Sequence, residues 1–189
     1  MGQYYKFVSV DKEKSISPIN FDNGSKLMEH SWLNNNYVGA AMQLISKGQP
    51  FYGDKIVWAG DYADNEIKNG KKLRRNLYDL CSNYKIAIKI DENNIKKLRY
   101  LVNLDTKEFV DISKSPISNV WIDPETRKKH SYCIHPLPLL TCEGNGRGFG
   151  DFSGEDPNNL VGKWHRNRVV SQKQKPRNCK ELIFDLIES

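Results

Sequence analysis

The chain has 189 residues, of which 38% are hydrophobic, 28% charged and 11% aromatic, a composition that suffices for a buried core and excludes an intrinsically disordered chain. It has no apolar run near the roughly 18 residues of a membrane-spanning helix, and its N-terminal residues lack the apolar segment of a signal peptide. We therefore expect a single domain over residues 1–189 that is cytoplasmic, or in the host cytoplasm if the protein is viral, and that does not associate with a membrane.

The formal net charge of +6 is concentrated near the C-terminal end. Residues 160–180 contain seven Lys or Arg residues and no acidic residue. Within this stretch, residues 172–180 are predicted to form a basic linker to a short C-terminal element. The basic character is therefore local, and it marks one part of the chain as a candidate for binding anionic ligands.

In chain order, the first half predicts both strands and helices. Alternating residues predict an N-terminal hairpin with its turn at 11–14. Apolar residues at helical spacing, with Asn34 to Asn36 as caps, predict a helix over 36–47. The β-branched run at 55–59 predicts a buried strand, and an apolar stripe predicts a second helix over 71–83.

The second half predicts mainly β-structure. One hairpin is expected from 98–104 and 109–112, and another from 120–122 and 132–135, with Asp105 and Asp123 bonding backbone amides in their turns. A late strand is expected over 160–171 and a short helix or strand over 181–188. The pattern as a whole predicts an α+β fold, a mostly antiparallel sheet built from hairpins with two packed helices.

A glycine-rich segment at residues 143–156 is the strongest local anomaly. It has five glycines within eleven residues, which is typical of backbone that adopts unusual conformations or approaches a ligand closely. It matches neither the dinucleotide-binding fingerprint nor the phosphate-binding P-loop, and a calcium-binding repeat would need several copies. Two interpretations remain, a wide structural turn and a ligand loop. As a ligand loop it has Arg147 for an anion and four nearby carboxylates for a cation.

A basic segment follows the glycine-rich segment. On a strand, Trp164 would share one face with Arg166 and Arg168, which predicts a surface for stacking and phosphate contact. The alternative is that the Trp164 side chain lies in the core and that its basic neighbours are solvated.

Two further sets of residues have metal-binding chemistry. The set His130, Cys133, His135 and Cys142 has residue types that suit zinc, but its spacing differs from the common chelating loops. Gly-Asp pairs, including Asp61 and Asp151, place carboxylates after hydrophobic segments and suit either metal binding or turn formation. We assign no metal site, and because no nucleophile and base are paired, the sequence does not decide whether the protein is an enzyme.

The sequence thus predicts a binding protein for a phosphate-bearing ligand, either a nucleotide or a nucleic acid. The predicted ligand-binding residues are Trp58, Asp61, Asn145, Arg147, Asp151, Trp164, His165, Arg166 and Arg168. Two alternatives belong to other classes: a protein-interaction or inhibitor protein of viral or phage type, and a small metal-dependent enzyme that uses clustered aspartates. No cofactor or oligomeric state is predicted.

Four phrases of the sequence are distinctive: MGQYYK, GDKIVWAGDYAD, HPLPLLT and GNGRGFGD. Together they resemble a family of small uncharacterised proteins from bacteria, phages and large DNA viruses. The resemblance covers most of the chain and implies an accessory role in a virus or mobile element. It implies no particular fold, activity or ligand.

Overall fold

The structure, a computed structural model, describes residues 3–84, 89–143 and 152–188. Short helices pack with several small, mostly antiparallel sheets, which confirms the predicted α+β class. The helices are α1 (Leu27–His30), α2 (Asn36–Leu44), α3 (Leu77–Leu80), α4 (Glu92–Ile95) and α5 (Pro136–Thr141). The strands are β1 (Tyr5–Ser9), β2 (Lys14–Ile16), β3 (Ile56–Gly60), β4 (Ile67–Lys68), β5 (Lys71–Lys72), β6 (Ser82–Asn83), β7 (Tyr100–Asn103), β8 (Glu108–Asp111), β9 (Ile117–Ile122), β10 (Lys129–Cys133), β11 (Cys142–Glu143), β12 (Gly154–Glu155), β13 (Val169–Gln172), β14 (Lys180–Glu181) and β15 (Ile187–Glu188).

The central sheet has the strand order β11-β3-β1-β2-β6. Strand β1 pairs antiparallel with β2 and β3, so that Phe7 lies opposite both Ile16 and Trp58. All five residues of β3 are buried, as expected for a β-branched apolar strand in the middle of a fold. The predicted N-terminal hairpin and the predicted buried strand are both confirmed.

A second sheet has the order β13-β7-β8-β14. Strands β7 and β8 form the hairpin predicted from 98–104 and 109–112, with Asn103 opposite Glu108. The turn differs from the expectation, because Asn103 rather than Asp105 accepts hydrogen bonds from the amides of Asp105 and Thr106, at 2.9 and 3.1 Å. The hairpin β9–β10 is also confirmed, and there Asp123 does accept hydrogen bonds from turn amides, as predicted.

Helix α2 is the longest helix of the described residues and carries the main apolar face against the central sheet. The Asn35 side chain accepts hydrogen bonds from the amides of Tyr37 and Val38 at 3.0 and 3.2 Å, which caps the helix start. Eight of its nine residues are buried. The helix ends at Leu44, three residues before the predicted end, and the following residues form turns up to Gly48, whose φ is +81°.

The predicted helix over 71–83 is wrong. Asn69 and Gly70 both have positive φ angles, 53° and 73°, and they form the tight turn between β4 and β5. An Asn-Gly pair is typical of two-residue hairpin turns because both residues tolerate this conformation. The helical part is confined to α3, which starts where the Asn76 side chain accepts a hydrogen bond from the Asp79 amide at 3.1 Å.

The predicted strand over 160–171 is wrong in its first part. Residues 161–166 form turns, and the regular strand β13 begins only at Val169. Gly162 and Arg166 have φ angles of +73° and +58°, which are incompatible with an extended strand. The Asp156 carboxylate accepts hydrogen bonds from the amides of Leu160 and Val161 at 2.7 and 3.0 Å and fixes the entry to these turns.

The C-terminal part of the described chain is less regular. Residues 173–179, within the predicted basic linker, lie between β13 and β14 without helix or strand. Over 181–188 the structure has the short strands β14 and β15 at the two ends rather than one continuous element. None of the helices in the described residues has the length and apolar character required to cross a lipid bilayer.

Candidate functional site

The glycine-rich segment falls largely outside the described residues. Three of its predicted ligand-binding residues, Asn145, Arg147 and Asp151, lie in the undescribed range 144–151. The neighbouring described residues are Glu143, which pairs with Ala59 in the central sheet, and Phe152, which is buried. The role of the segment in ligand binding stays a prediction.

The two tryptophans predicted as ligand residues lie in the core. Trp58 is fully buried, and its Nε1 donates a hydrogen bond to His30 Nε2 at 2.8 Å. Trp164 is also fully buried, and its Nε1 donates to Glu108 Oε2 at 2.9 Å. A base stacks only on an exposed ring face. Neither ring offers such a face in this structure, and for Trp164 the core interpretation considered from the sequence is the one observed.

Arg166 holds three distant segments together. Its guanidinium donates to Glu66 Oε2 at 3.0 Å and to both carboxylate oxygens of Glu143 at 2.7 and 2.8 Å. The hydrogen bonds to Glu66, together with those to Glu143, raise the pKa of Arg166 above its usual range. Bidentate pairs of this kind are among the stronger polar interactions in proteins. The Arg166 guanidinium is therefore occupied by Glu66 and Glu143, a set of ion pairs that we call the Arg166 clamp, and it is not available to a phosphate.

A polar cleft of about 610 Å³ lies beside this clamp. It is lined by Asp11, Lys55, Asp105, Arg166, Asn167 and Arg168. Arg168 donates to Asp105 Oδ1 at 2.7 Å from Nε and to Oδ2 at 2.8 Å from its amide, and these bonds lower the pKa of Asp105. Within the described residues, the Lys55 ammonium has no ion pair at all, so it is the cation in this cleft most available to an anion.

Among the other predicted residues that the structure describes, Trp58, Asp61, Trp164 and His165 do not line this cleft. Asp61 accepts a hydrogen bond from the Tyr4 amide at 2.9 Å. His165 is exposed, and its Nδ1 lies 2.6 Å from the Gly162 carbonyl oxygen, to which it donates. Of the six predicted residues that the structure describes, only Arg166 and Arg168 line this cleft together.

The His and Cys residues considered for zinc lie in different environments. His135 and Cys142 are buried, and burial lowers the pKa of His135 to about 3 and raises that of Cys142 to about 12. His130 is exposed and contacts the Trp121 ring at a centroid distance of 5.4 Å. In the part of the chain that the structure describes, no three His, Cys, Asp or Glu side chains are placed to hold a metal ion. Asp61, like the zinc set, therefore belongs to no such group in the described residues.

The sequence did not identify one exposed apolar feature of the described residues, the hairpin β9–β10. Its large apolar side chains are between 38% and 59% exposed: Ile117, Val120, Trp121, Ile122 and Tyr132. Single exposed apolar residues are ordinary on a protein surface, but a contiguous group is typical of a binding site. The signal in the sequence was the run Val120 to Ile122, because three consecutive apolar residues make both faces of a strand apolar.

The register of the hairpin divides these side chains between its two faces. Trp121 lies opposite His130, while the next residues along, Val120 and Ile122, lie opposite Ser131 and Lys129. The aromatic face continues to Tyr132, whose ring contacts Trp32 edge-on at 5.8 Å. Both faces of the hairpin are therefore partly apolar and partly open to solvent.

The charges of the hairpin lie at its tip. Arg127, Lys128 and Lys129 are exposed and make no ion pair within the described residues. Hydrogen bonds from the amides of Thr126 and Glu125 lower the pKa of Asp123 and bind its carboxylate into the turn. The tip thus presents three cations against one exposed carboxylate, that of Glu125.

Comparison with known proteins adds no relative. The chain matches no protein-family model, and neither a curated protein nor a solved structure shows significant similarity to it. The resemblance to small viral and bacterial proteins stays a prediction, and the functional argument rests on the geometry of the described residues.

Proposed function

We propose that the protein binds a partner protein through the β9–β10 hairpin. The observation that carries this proposal is the set of large apolar side chains exposed on both faces of one two-stranded hairpin. Water contact with such a surface costs free energy, about 25 cal/mol for each Å² of apolar area that a partner would cover. A partner that covers Trp121 and its neighbours would recover this free energy.

The composition of the hairpin supports a protein rather than a small molecule as the partner. Trp and Tyr are enriched at the centres of protein interfaces, and cations are frequent at their rims. The hairpin has both, with Trp121 and Tyr132 on the strands and Arg127, Lys128 and Lys129 at the tip. The partner is therefore expected to present an apolar groove with carboxylates along one side.

Site-specific photocrosslinking tests this proposal. Trp121 is replaced by p-benzoylphenylalanine, and the matched control carries the same residue in place of Tyr62, because Trp121 and Tyr62 are each 48% exposed. The proteins are irradiated in the cells that encode the chain. We expect a discrete adduct with one other protein from position 121 and none from position 62.

Two additions sharpen the experiment. The double variant Val120→Lys and Ile122→Lys, on the opposite face, is expected to abolish the adduct if the partner surrounds the hairpin, and added salt is expected to reduce it by screening the cations at the tip. Equal adducts from positions 121 and 62, or no adduct from either, would overturn the proposal. An adduct of twice the chain mass would mean that the partner is a second copy of this chain.

Binding of a phosphate-bearing ligand stays as a second candidate. It is favoured by the cleft beside Arg168, where Lys55 has no ion pair within the described residues. The test compares the melting temperature with and without polyphosphate or a nucleotide at low salt, for the parent chain and for Lys55→Gln. A stabilisation that Lys55→Gln abolishes supports this candidate, whereas no stabilisation of the parent contradicts it.

A further inference from the structure

A second cleft, of about 600 Å³, lies beside α2. It opens between α2, α4 and the residues that follow β8. Its apolar wall consists of Leu33, Met42, Ile90, Ile95, Leu98 and Ile112. The volume is within the range of 300 to 1,000 Å³ that is usual for small-molecule sites, which combine an apolar wall with placed polar groups. The polar residues that line this cleft are Asn34, Asn35, Asn36, Glu92, Lys96, Arg99, Ser113 and His135.

The two helices are held close together where they form this wall. A Cβ atom added at Gly39 of α2 would lie 3.2 Å from Cγ2 of Ile95 of α4. A larger residue at position 39 would therefore push α4 outward.

One polar group of the cleft is buried and has a poor partner. His135 is 4% exposed, and its Nδ1 accepts a hydrogen bond from the Leu137 amide at 3.1 Å. In the neutral ring the proton is therefore on Nε2, whose partner in the described residues is the Met42 sulfur at 3.0 Å. A thioether is a weak acceptor. The buried N–H of His135 is thus bonded to the Met42 sulfur, and an oxygen atom of a ligand would be a stronger hydrogen-bond acceptor.

The rim of the cleft has two cations, Arg99 and Lys96, and Arg99 is already paired with Asp111. Arg99 donates two hydrogen bonds to Asp111, at 2.9 and 2.7 Å, and this pairing lowers the pKa of Asp111 to about 2. The pair holds the Arg99 guanidinium at the rim, where its side chain remains 51% exposed. Lys96, which directly follows α4, is exposed and has no ion pair within the described residues, and Glu92 is the one acidic residue among those that line the cleft.

We propose that this cleft binds a small carboxylic acid with an apolar body. The body lies against Ile95, Leu98 and Ile112, and the carboxylate meets Lys96 and Arg99 at the rim. A second oxygen on the body, such as a ketone, accepts the hydrogen bond of His135 Nε2. This site is separate from the β9–β10 hairpin and does not depend on the partner proposed there.

Three related probes test the proposal by isothermal titration at low salt: 4-phenylbutyrate, 4-oxo-4-phenylbutyrate and the uncharged 4-phenylbutanol. We expect saturable binding of both acids, about fivefold tighter for the ketone because it adds one hydrogen bond, and no measurable binding of the alcohol. Absence of binding of either acid, or equal binding of the alcohol, would overturn the proposal.

A matched pair of variants assigns the rim. Lys96→Gln removes a cation that lines the cleft, whereas Lys97→Gln removes the neighbouring exposed cation that does not. We expect about threefold weaker binding of 4-phenylbutyrate by Lys96→Gln and unchanged binding by Lys97→Gln. Equal losses would show a general charge effect and would overturn the site.

A third variant fills the cleft. Gly39→Leu introduces a side chain at the contact between α2 and α4, and circular dichroism is used to verify that the variant is folded. Loss of acid binding by a folded Gly39→Leu protein supports the assigned location, and full retention contradicts it. If the variant does not fold, Ile95→Ala is used instead, because it enlarges the cleft at the same wall. The proposal then requires that the ratio of the affinities for the two acids changes.

Discussion

Two regions of this protein contain the same kinds of residues and place them in opposite environments. In the core, Trp58, Tyr37 and His30 are fully buried, and their polar atoms are joined in hydrogen bonds. In the β9–β10 hairpin, Trp121 and Tyr132 remain 48% and 38% exposed. Residue type alone therefore does not decide burial, because several distant elements enclose the core residues, whereas at the hairpin the cover is partial, as at Tyr132 beside Trp32.

The contrast is expected to appear most strongly in stability. Trp58→Ala removes one of the two largest side chains of the core and leaves His30 Nε2 without its donor, so we expect a loss of about 3 to 5 kcal/mol in the free energy of unfolding. Urea denaturation monitored by circular dichroism measures this loss. A loss below about 1 kcal/mol would show that the core can repack around position 58.

The core is also expected to respond to pH. Burial lowers the pKa of His30 to about 4, whereas a histidine in an unfolded chain has a pKa of about 6.5. Between these two pH values the unfolded chain binds a proton that the folded chain does not. The stability from this group is therefore complete above pH 6.5 and is lost as pH falls to about 4, by roughly 3 kcal/mol. His135 shifts in the same direction, with a folded pKa of about 3.

Melting temperatures between pH 7 and pH 4 check this expectation. His30→Gln is expected to flatten the decline in part, while His165→Gln, which alters an exposed histidine, is expected to leave it unchanged. Equal declines in the parent and in His30→Gln would contradict the assignment.

The variant Arg166→Gln tests whether the ion pairs at the edge of the core contribute to the free energy of unfolding. Arg166→Gln leaves the carboxylates of Glu66 and Glu143 without their cation, and because the Arg166 side chain is 32% exposed, we expect a loss of about 2 kcal/mol rather than the larger cost of a fully buried pair. Chemical denaturation measures it, and Lys163→Gln is the exposed control. A loss equal to that of the control would mean that the clamp adds nothing.

The smallest effect is expected in the hairpin. Trp121→Ala removes a side chain that is half exposed, so the free energy of unfolding is expected to change by less than about 0.5 kcal/mol, while partner binding is lost. Denaturation and a binding assay on the same preparation measure both. A large destabilisation would mean that Trp121 serves the fold and would weaken the proposed interface.

The fold was predictable where local signals were sufficient. The alternation in β1 and β2, the β-branched run of β3 and the Asn35 cap of α2 each act within a few residues, and each element was found. The missed turn at Asn69 and Gly70 was also a local signal, and it outweighed the apolar stripe from which a helix was expected over 71–83.

The environments of the predicted ligand-binding residues were less predictable, because they depend on partners that are far away along the chain. Trp164 is buried with Glu108, which is 56 residues away along the chain, and Arg166 pairs with Glu66, which is 100 residues away. A strand pattern in the sequence gives the relative faces of neighbouring residues but not what covers either face. The apolar run in β9 was readable, but its exposure depends on distant elements: β15 contacts β9 and still leaves Trp121 48% exposed.

The Arg166 clamp also has a consequence for the order of folding events. Its two partners are 23 and 100 residues away along the chain, and because closing the intervening loops costs chain entropy, we expect these contacts to form late in folding. Interactions that form after the transition state control the unfolding rate rather than the refolding rate. We therefore expect the removal of the Arg166 side chain to raise the unfolding rate and to leave the refolding rate unchanged.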